Sequence, residues 1–246
     1  MTVRSRTLET YEVLRHDLLN GRFIPGSKLK IDTLCRQLGV SPGAVREALA
    51  RLTSDGLVVA EAQRGFHVTP ISIEDLKDLT EVRIEIELRC LRRSIAKGSL
   101  AWEGHIKDIS HQLHHTSMSD PNGSDTVNPA WTELHAAFHD ALVIACDSRW
   151  WLKLRDSMFW QVERYRRMAV PFIKEPRHVD IEHAEIAEAV LARDTELACS
   201  RLEAHLRKTS DLLLRLDGPF EDLVSKTGSN DRRSRSKTGS RTPIPT

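Results

Sequence analysis

Apolar side chains at Leu8, Tyr11, Val13, Leu14, Leu18 and Leu19 recur at helical spacing, which predicts a helix over residues 7–19. Gly21 and the Pro25-Gly26 pair end it and turn the chain. Ile31, Leu34, Cys35 and Leu38 then share one face of a short second helix. Gly39-Val40 is a tight turn. Ser41 caps a third helix that has Pro42 at its first position and Val45, Leu49 and Leu52 on its apolar face. Asp55-Gly56 stops this helix, and beyond it the apolar period drops to two. Residues 57–60 and 66–68 read as two short strands joined by residues 61–65. Helix, short helix, tight turn, helix and hairpin is the order of a winged helix-turn-helix.

From Ser72 onward strand signals vanish. Ile73, Leu76, Leu79, Val82, Ile86, Leu91 and Ile95 form one long stripe over residues 72–97, with Ser72, Glu74 and Asp75 at a favourable N-terminus. A helix follows Trp102 and runs to about Ser117, before a polar loop over residues 119–129. Further helices are predicted over residues 130–145, 149–171, 179–192 and 195–216, with Asp180 and Asp194 as caps of the last two. Six helices at short spacing pack most simply as an antiparallel bundle. The expected fold is therefore mainly α: a winged helix-turn-helix over residues 1–70, then an all-helical domain over residues 71–216. Residues 217–246, rich in Ser, Gly, Thr, Pro and Arg, are expected to form a disordered basic tail.

Composition narrows the function classes. At 40% apolar and 29% charged, the 246 residues have the balance of a globular protein. No run approaches the roughly 18 apolar residues of a membrane helix, and residues 1–6 hold no apolar signal core, so a cytoplasmic location without membrane contact is expected. Cys35, Cys90, Cys146 and Cys199 are isolated and read as small apolar residues in a reducing compartment. The net charge of +1 hides an asymmetry: residues 1–70 hold ten Lys/Arg against seven Asp/Glu, whereas residues 71–216 hold twenty against twenty-four. A basic N-terminal block on an acidic body suits nucleic-acid contact by the block.

The helix after the tight turn of such a module lies in the major groove and presents its N-terminal residues to base edges. This places Ser41, Gly43, Ala44 and Arg46 at the groove floor of double-stranded operator DNA, with Arg46 able to contact guanine bidentately. Lys28, Lys30 and Arg64 stand where flanking segments cross the phosphates, and Arg4 and Arg6 are further candidates. An exposed, solvated charge is the alternative reading for each.

In the helical region, His135 and His139 are four apart in WTELHAAFHDAL, so both imidazoles lie on one helical face. His183 and His205 also fall on helical stripes, and all four can converge in a bundle core. Neutral imidazoles suit zinc, nickel or related divalent ions. The alternative is an incidental pair.

The run from Tyr11 to Val68 resembles the DNA-binding domain of the GntR regulators, through IPGSKL, LCRQLGVS, VREALARLTSDGLV and RGFHV. The family commonly opens its recognition helix with Ser-Arg-Thr-Pro-Val-Arg; here the stretch is Ser41-Pro42-Gly43-Ala44-Val45-Arg46, so only the last basic reader carries over. Residues 72–216 resemble the FCD effector-binding domain of the FadR-type branch, whose members often hold a metal with one acidic residue and three histidines. The family's Asp-x-x-Phe-His becomes His135-x-x-Phe138-His139, its Glu-His becomes Glu182-His183, and its final His-Leu becomes His205-Leu206. Ser148 stands where the family often has Asn. The His-x-x-Phe-His variant resembles that of CsiR-like regulators responding to glutarate, which implies a small dicarboxylate as effector. Arg83 resembles the arginine that faces the effector pocket, and an ordinary ion pair with a neighbouring glutamate is its other reading.

Two function classes compete. In the first, the chain is a repressor that binds operator DNA as a homodimer and senses a small organic acid at a metal site. In the second, the histidine cluster activates water in a metal-dependent enzyme. The sequence lacks HExxH, P-loop and GxSxG motifs, and its DNA-reading module favours the first.

Overall fold

The computed structural model describes residues 6–119, 127–169 and 178–215. The anticipated tail over residues 217–246, as well as Arg4 and Pro171, lies outside the described residues. The chain divides into two compact units, with the boundary between Asp75 and Leu76.

The first unit begins with α1 (Arg6–Leu19) and a two-residue strand β1 (Lys28–Leu29), followed by α2 (Ile31–Leu38), α3 (Pro42–Ser54), β2 (Val58–Glu61) and β3 (Gly65–Val68). Gly39 closes α2 in the left-handed region at φ 65°, donating its N–H to the Cys35 carbonyl. That conformation costs glycine nothing and lets the chain turn sharply into α3. Ser41 then caps α3, its Oγ accepting from the Ala44 N–H at 3.3 Å. Leu14, Leu18, Leu34, Val45, Leu49 and Leu52 are buried between the helices. The sheet has the order β1-β3-β2 and is antiparallel, with Lys28 opposite His67 and Val59 opposite the same residue on the other side. β1 has no sequence signal of its own, because two residues are too few to show a period. It exists because β3 offers it an edge.

The second unit is an all-helical bundle. It comprises α4 (Ile73–Lys97, whose first turn holds the unit boundary), α5 (Leu100–His114), α6 (Pro129–Val143), α7 (Arg149–Ala169), α8 (Val179–Leu191) and α9 (Thr195–Leu214). The α5 helix starts before Trp102 and stops short of Ser117, since Ser99 Oγ accepts from the Trp102 N–H at 3.3 Å and caps it. Asp194 caps α9 as anticipated, accepting from the Leu197 N–H at 3.0 Å. Asp180 does not cap α8: the helix begins one residue earlier, which puts this carboxylate inside the first turn. Ser148 accepts from the Trp151 N–H at 3.4 Å and so marks the start of α7.

One apolar core, including Ile84, Leu91, Ile106, Phe138, Ile186 and Leu202, joins α4, α5, α6, α8 and α9. Buried polar contacts set the register of the helices. Trp102 Nε1 donates to the Ala141 carbonyl at 2.7 Å, Ser94 Oγ to the Val143 carbonyl at 2.7 Å, and Thr80 Oγ1 to Ser210 Oγ at 2.9 Å. Gly98 is required where it stands, because a Cβ there would overlap the Trp102 ring. Among the described residues no helix is long and apolar enough to cross a membrane. All four cysteines are free thiols and three are buried, which agrees with their reading as small apolar residues.

Phe138 is fully buried where the core meets the histidine-bearing face of α6. Phe138→Ala is expected to lower the unfolding free energy by about 3–5 kcal/mol in denaturant titration. A loss below about 1 kcal/mol would contradict a close-packed core at this position.

Candidate functional site

Two sets of residues carry chemistry, one in each unit. In the first unit Arg46 projects from the exposed face of α3, one helical turn past the cap. Gly43 is exposed, with the Ser41 Oγ 3.8 Å from where its Cβ would be, while Ala44 is half-buried. The Ser41 oxygen serves as the helix cap, so its primary role is to orient the start of α3. Lys28 and Lys30 are exposed, on β1 and just before α2. Arg64 sits at the wing tip, paired with Glu61 at 2.8 Å, and Lys28 runs past the same tip with its Cε 3.7 Å from where a Gly65 Cβ would be. The positive φ values of Gln63 and Gly65, 61° and 88°, shape this narrow turn. Arg6, the first residue of α1, is exposed as well.

In the second unit the bundle brings four histidines together. His135 and His139 come from α6, His183 from α8 and His205 from α9, and one ring nitrogen from each lies within 4.8 Å of all the others. Their rings nearly touch: centroids are 4.7 Å apart for His135–His139, 4.8 Å for His183–His205 and 5.3 Å for His139–His205. All four side chains are buried. Burial first, and then the neighbouring positive charge of Arg166, pushes His135 well below the ordinary histidine range; His139 is lowered likewise by burial and by the other histidines. Both imidazoles are therefore neutral at pH 7, the state in which nitrogen lone pairs are available.

Three observations test whether these residues fit a metal ion. The Nδ1 atoms of His135 and His139 are buried without a hydrogen-bond partner, a costly state that a bound cation or a polar ligand relieves. His205 Nδ1 lies 2.8 Å from Glu182 Oε2, so its N–H is donated outward and its Nε2 is left as the inward-facing acceptor. A carboxylate behind a ligating imidazole is the usual way to fix the tautomer and raise the ligand's basicity. Finally, nitrogens on one tetrahedral ion at about 2.1 Å sit about 3.4 Å apart, so a span of up to 4.8 Å closes onto an ion by rotamer and helix shifts of about an ångström. The residues fit.

Around the cluster stands a ring of buried charge. Arg83 on α4 is buried, not on the surface, and among the described residues its hydrogen bond is a long 3.4 Å contact from Nε to Glu87 Oε1. The same glutamate accepts from Arg155 Nε at 3.2 Å through both oxygens. On α7, Glu163 accepts from Arg166 at 2.8 and 2.6 Å and from Arg167 at 2.8 Å. Burial would raise the Glu163 carboxyl, but these two guanidinium groups hold it below the usual range. Four arginines in this unit are buried (Arg83, Arg155, Arg164 and Arg166) against two buried glutamates, Glu87 and Glu163. Arg155 is further paired with the partly exposed carboxylates of Asp140 and Asp156, whereas Arg83 shares Glu87 with it.

A cavity of about 290 Å³ opens between α5 and α8 and reaches the cluster at His183 and Trp131. Trp131 stacks on His135 with centroids 4.7 Å apart, and the Arg166 guanidinium carbon lies over the Trp131 ring, 5.4 Å from its centroid. Sequence reasoning missed Glu182, Glu163, Arg166 and Arg155. Glu182 is next to His183 in the chain, and Glu163 has arginines three and four residues on, so local signals existed for both. Arg155 reaches Glu87 across 68 residues of sequence and had none.

Comparison with known proteins agrees with this architecture. Residues 6–68 match the family model for bacterial regulatory proteins of the gntR family, and residues 78–208 match the FCD domain. The chain is 37% identical over 209 residues to the uncharacterized HTH-type transcriptional regulator BphR of Paraburkholderia xenovorans strain LB400, covering 84% of each chain. It is 31% identical over 210 residues to the HTH-type transcriptional repressor GlaR of Escherichia coli K12, covering 84% of this chain and 94% of that one. Among solved structures, E. coli McbR/YncC shares the fold with a TM-score of 0.70 at 20% identity, over 86% of this chain and 98% of the other. A GntR-type structure from Rhodococcus sp. RHA1 does so with a TM-score of 0.65 at 24% identity, over 85% and 97%. With a matched DNA-reading module, a matched helical domain and relatives of both over most of its length, the chain belongs to the gntR family of DNA-binding transcriptional regulators and carries an FCD domain.

Proposed function

We propose that this regulator is a homodimeric repressor that binds a divalent metal through His135, His139, His183 and His205 and senses a small organic acid, a dicarboxylate, beside it. The observation that carries this reading is the meeting of four buried, mutually close imidazoles with a buried and under-paired arginine, Arg83. Held by these four imidazoles, a divalent ion would supply a Lewis-acid centre attractive to a carboxylate. His135, standing where the family usually has an acid, removes one negative charge, so the site favours zinc or nickel and binds an anion more readily. Glu182 orients His205, while Arg83 offers its terminal nitrogens to the acid.

DNA contact falls to Arg46 as the base reader, with Ser41, Gly43 and Ala44 at the helix start and Lys28, Lys30 and Arg64 on phosphates. A two-fold dimer reads a near-palindrome, and ligand binding shifts the helical domains so that the spacing of the two readers changes. The repressor direction is supported by the name of the E. coli relative GlaR, and the cytoplasm is where such a protein meets chromosomal DNA. Catalysis by the cluster has weaker support: four protein ligands leave fewer open positions than a catalytic zinc keeps, and the matched families and relatives are regulators.

Arg46→Ala is expected to weaken binding to a selected operator by about 1–3 kcal/mol while leaving nonspecific binding nearly intact. Fluorescence anisotropy against operator and scrambled duplexes measures both, and unchanged operator affinity would remove Arg46 as a reader. Elemental analysis of protein purified without chelator should find about one zinc or nickel ion per chain, and a His135→Ala/His139→Ala variant should find none. Metal-free wild type would point instead to a histidine-lined anion pocket. Small dicarboxylates should raise the melting temperature and alter operator affinity; saturation at about 100 times the dissociation constant adds roughly 2.7 kcal/mol to stability. A panel that does neither excludes this effector class.

A further inference from the structure

Arg155 on α7 is a deeply buried cation, with its side chain 1% exposed. Three of its nitrogens can be followed to carboxylates or to solitude. Nε donates to both oxygens of Glu87 at 3.2 Å, and Nη1 donates to Asp156 at 3.2 Å and also to Asp140. Nη2 is buried and has no hydrogen-bond partner. A guanidinium pinned by three carboxylates cannot swing to satisfy that last group, because its planar fork is rigid.

Arg83 stands beside it. Both guanidinium groups bond to Glu87 Oε1 and both lie over the Phe159 ring, with Cζ 5.2 Å from its centroid for Arg83 and 4.7 Å for Arg155. The Phe159 ring is itself 6.0 Å from that of His139. Glu87 thus contributes one negative charge to two buried cations. Its shorter contacts go to Arg155, which leaves the terminal nitrogens of Arg83 uncommitted among the described residues. The outcome is a pair of fixed guanidinium groups with unused donors at the edge of the histidine cluster. Like-charged neighbours of this kind are held together most favourably by an anion between them.

We propose that Arg155 is a second effector-binding residue: its Nη2 and the terminal nitrogens of Arg83 together grip the distal carboxylate of a dianionic acid whose other carboxylate lies at the histidines. This deepens, and rests on, the acid-sensing reading above. Glu87 acts as a positioning residue that holds both guanidinium groups in register, and Arg155 determines specificity by rewarding a second carboxylate. No covalent step is involved.

The test is isothermal titration of the full-length protein with succinate, glutarate and adipate, and with the monocarboxylates of equal carbon count: butyrate, valerate and hexanoate. Wild type should bind at least one dicarboxylate about tenfold or more tighter than its matched monocarboxylate, the ratio expected of a charge-assisted hydrogen-bonded pair. Arg155→Lys keeps the charge that Glu87, Asp140 and Asp156 need but lacks the fork. It should lower affinity for that dicarboxylate about tenfold and leave the monocarboxylate within about twofold, a split that a general loss of stability would not produce. A preference that persists in a folded Arg155→Lys variant, or an equal loss for both acids, overturns the assignment and leaves Arg155 structural. If that variant does not fold, the wild-type series decides: equal affinity for the two classes overturns the inference. Binding of monocarboxylates alone sinks the distal clamp but keeps the acid sensor, whereas binding of no acid in either series sinks the sensor and the clamp together.

Discussion

Taking an imidazole or a guanidinium out of water costs several kcal/mol unless other groups replace the hydrogen bonds and charge screening it loses. Among its described residues the helical unit buries four of each, against two buried glutamates. Much of its internal geometry follows from meeting that cost. Glu87 joins α4 to α7 through Arg155, Glu163 holds Arg166 and Arg167 on α7, and Glu182 on α8 fixes His205 on α9. Among the described residues, buried ring nitrogens of His135 and His139 and the Nη2 of Arg155 are left without hydrogen-bond partners, as are Arg93 Nε and Ser110 Oγ elsewhere in the unit. A protein selected only for stability would replace such groups with apolar ones of similar volume. Their presence in a close-packed bundle suits the ligand-dependent site proposed above, in which a metal and an anion would supply the missing interactions.

The DNA-reading unit solves a different problem. Its small core of Leu14, Leu18, Leu34, Val45, Leu49 and Leu52 exists to hold α3 rigidly, and the Gly39 turn and Ser41 cap set the angle at which α3 leaves α2. The surface thus presented is sparse in readers. Pro42, Gly43 and Ala44 contribute no side-chain donors, so in the proposed mode of DNA contact base recognition would fall on Arg46 and more of the discrimination on groove shape and backbone contact. Lys28 and Arg64, brought to one wing tip by the β1–β3 pairing, fit that division of labour.

Most of this architecture was legible in the sequence, because helices and hairpins announce themselves through the period of their apolar positions and through local caps. The turn at Gly39, the cap at Ser41, the stripe of α4 and the start of α9 at Asp194 are all settled by residues within four or five positions of one another. Errors arose where a neighbour in sequence misled: Asp180 has the chemistry of a cap, but α8 starts at Val179. Ser99, not Trp102, governs the start of α5.

The candidate site divides along the same line. Spacing put His135 and His139 on one face of α6, and the sequence alone named His183 and His205 as candidates. Only the packing of α6, α8 and α9 could bring the four within 4.8 Å, because convergence depends on helix crossing and rotation that no local pattern records. Arg83 was identified from the chain, yet whether it formed a surface pair or faced the interior was decided by burial. Arg155 and its unpartnered Nη2 were invisible beforehand, since the contact with Glu87 spans 68 residues and a charged residue on a helix ordinarily points to water. Sequence determined which elements form and which residue types they carry; tertiary structure decided which of those charges are buried together, and that is a property of packing.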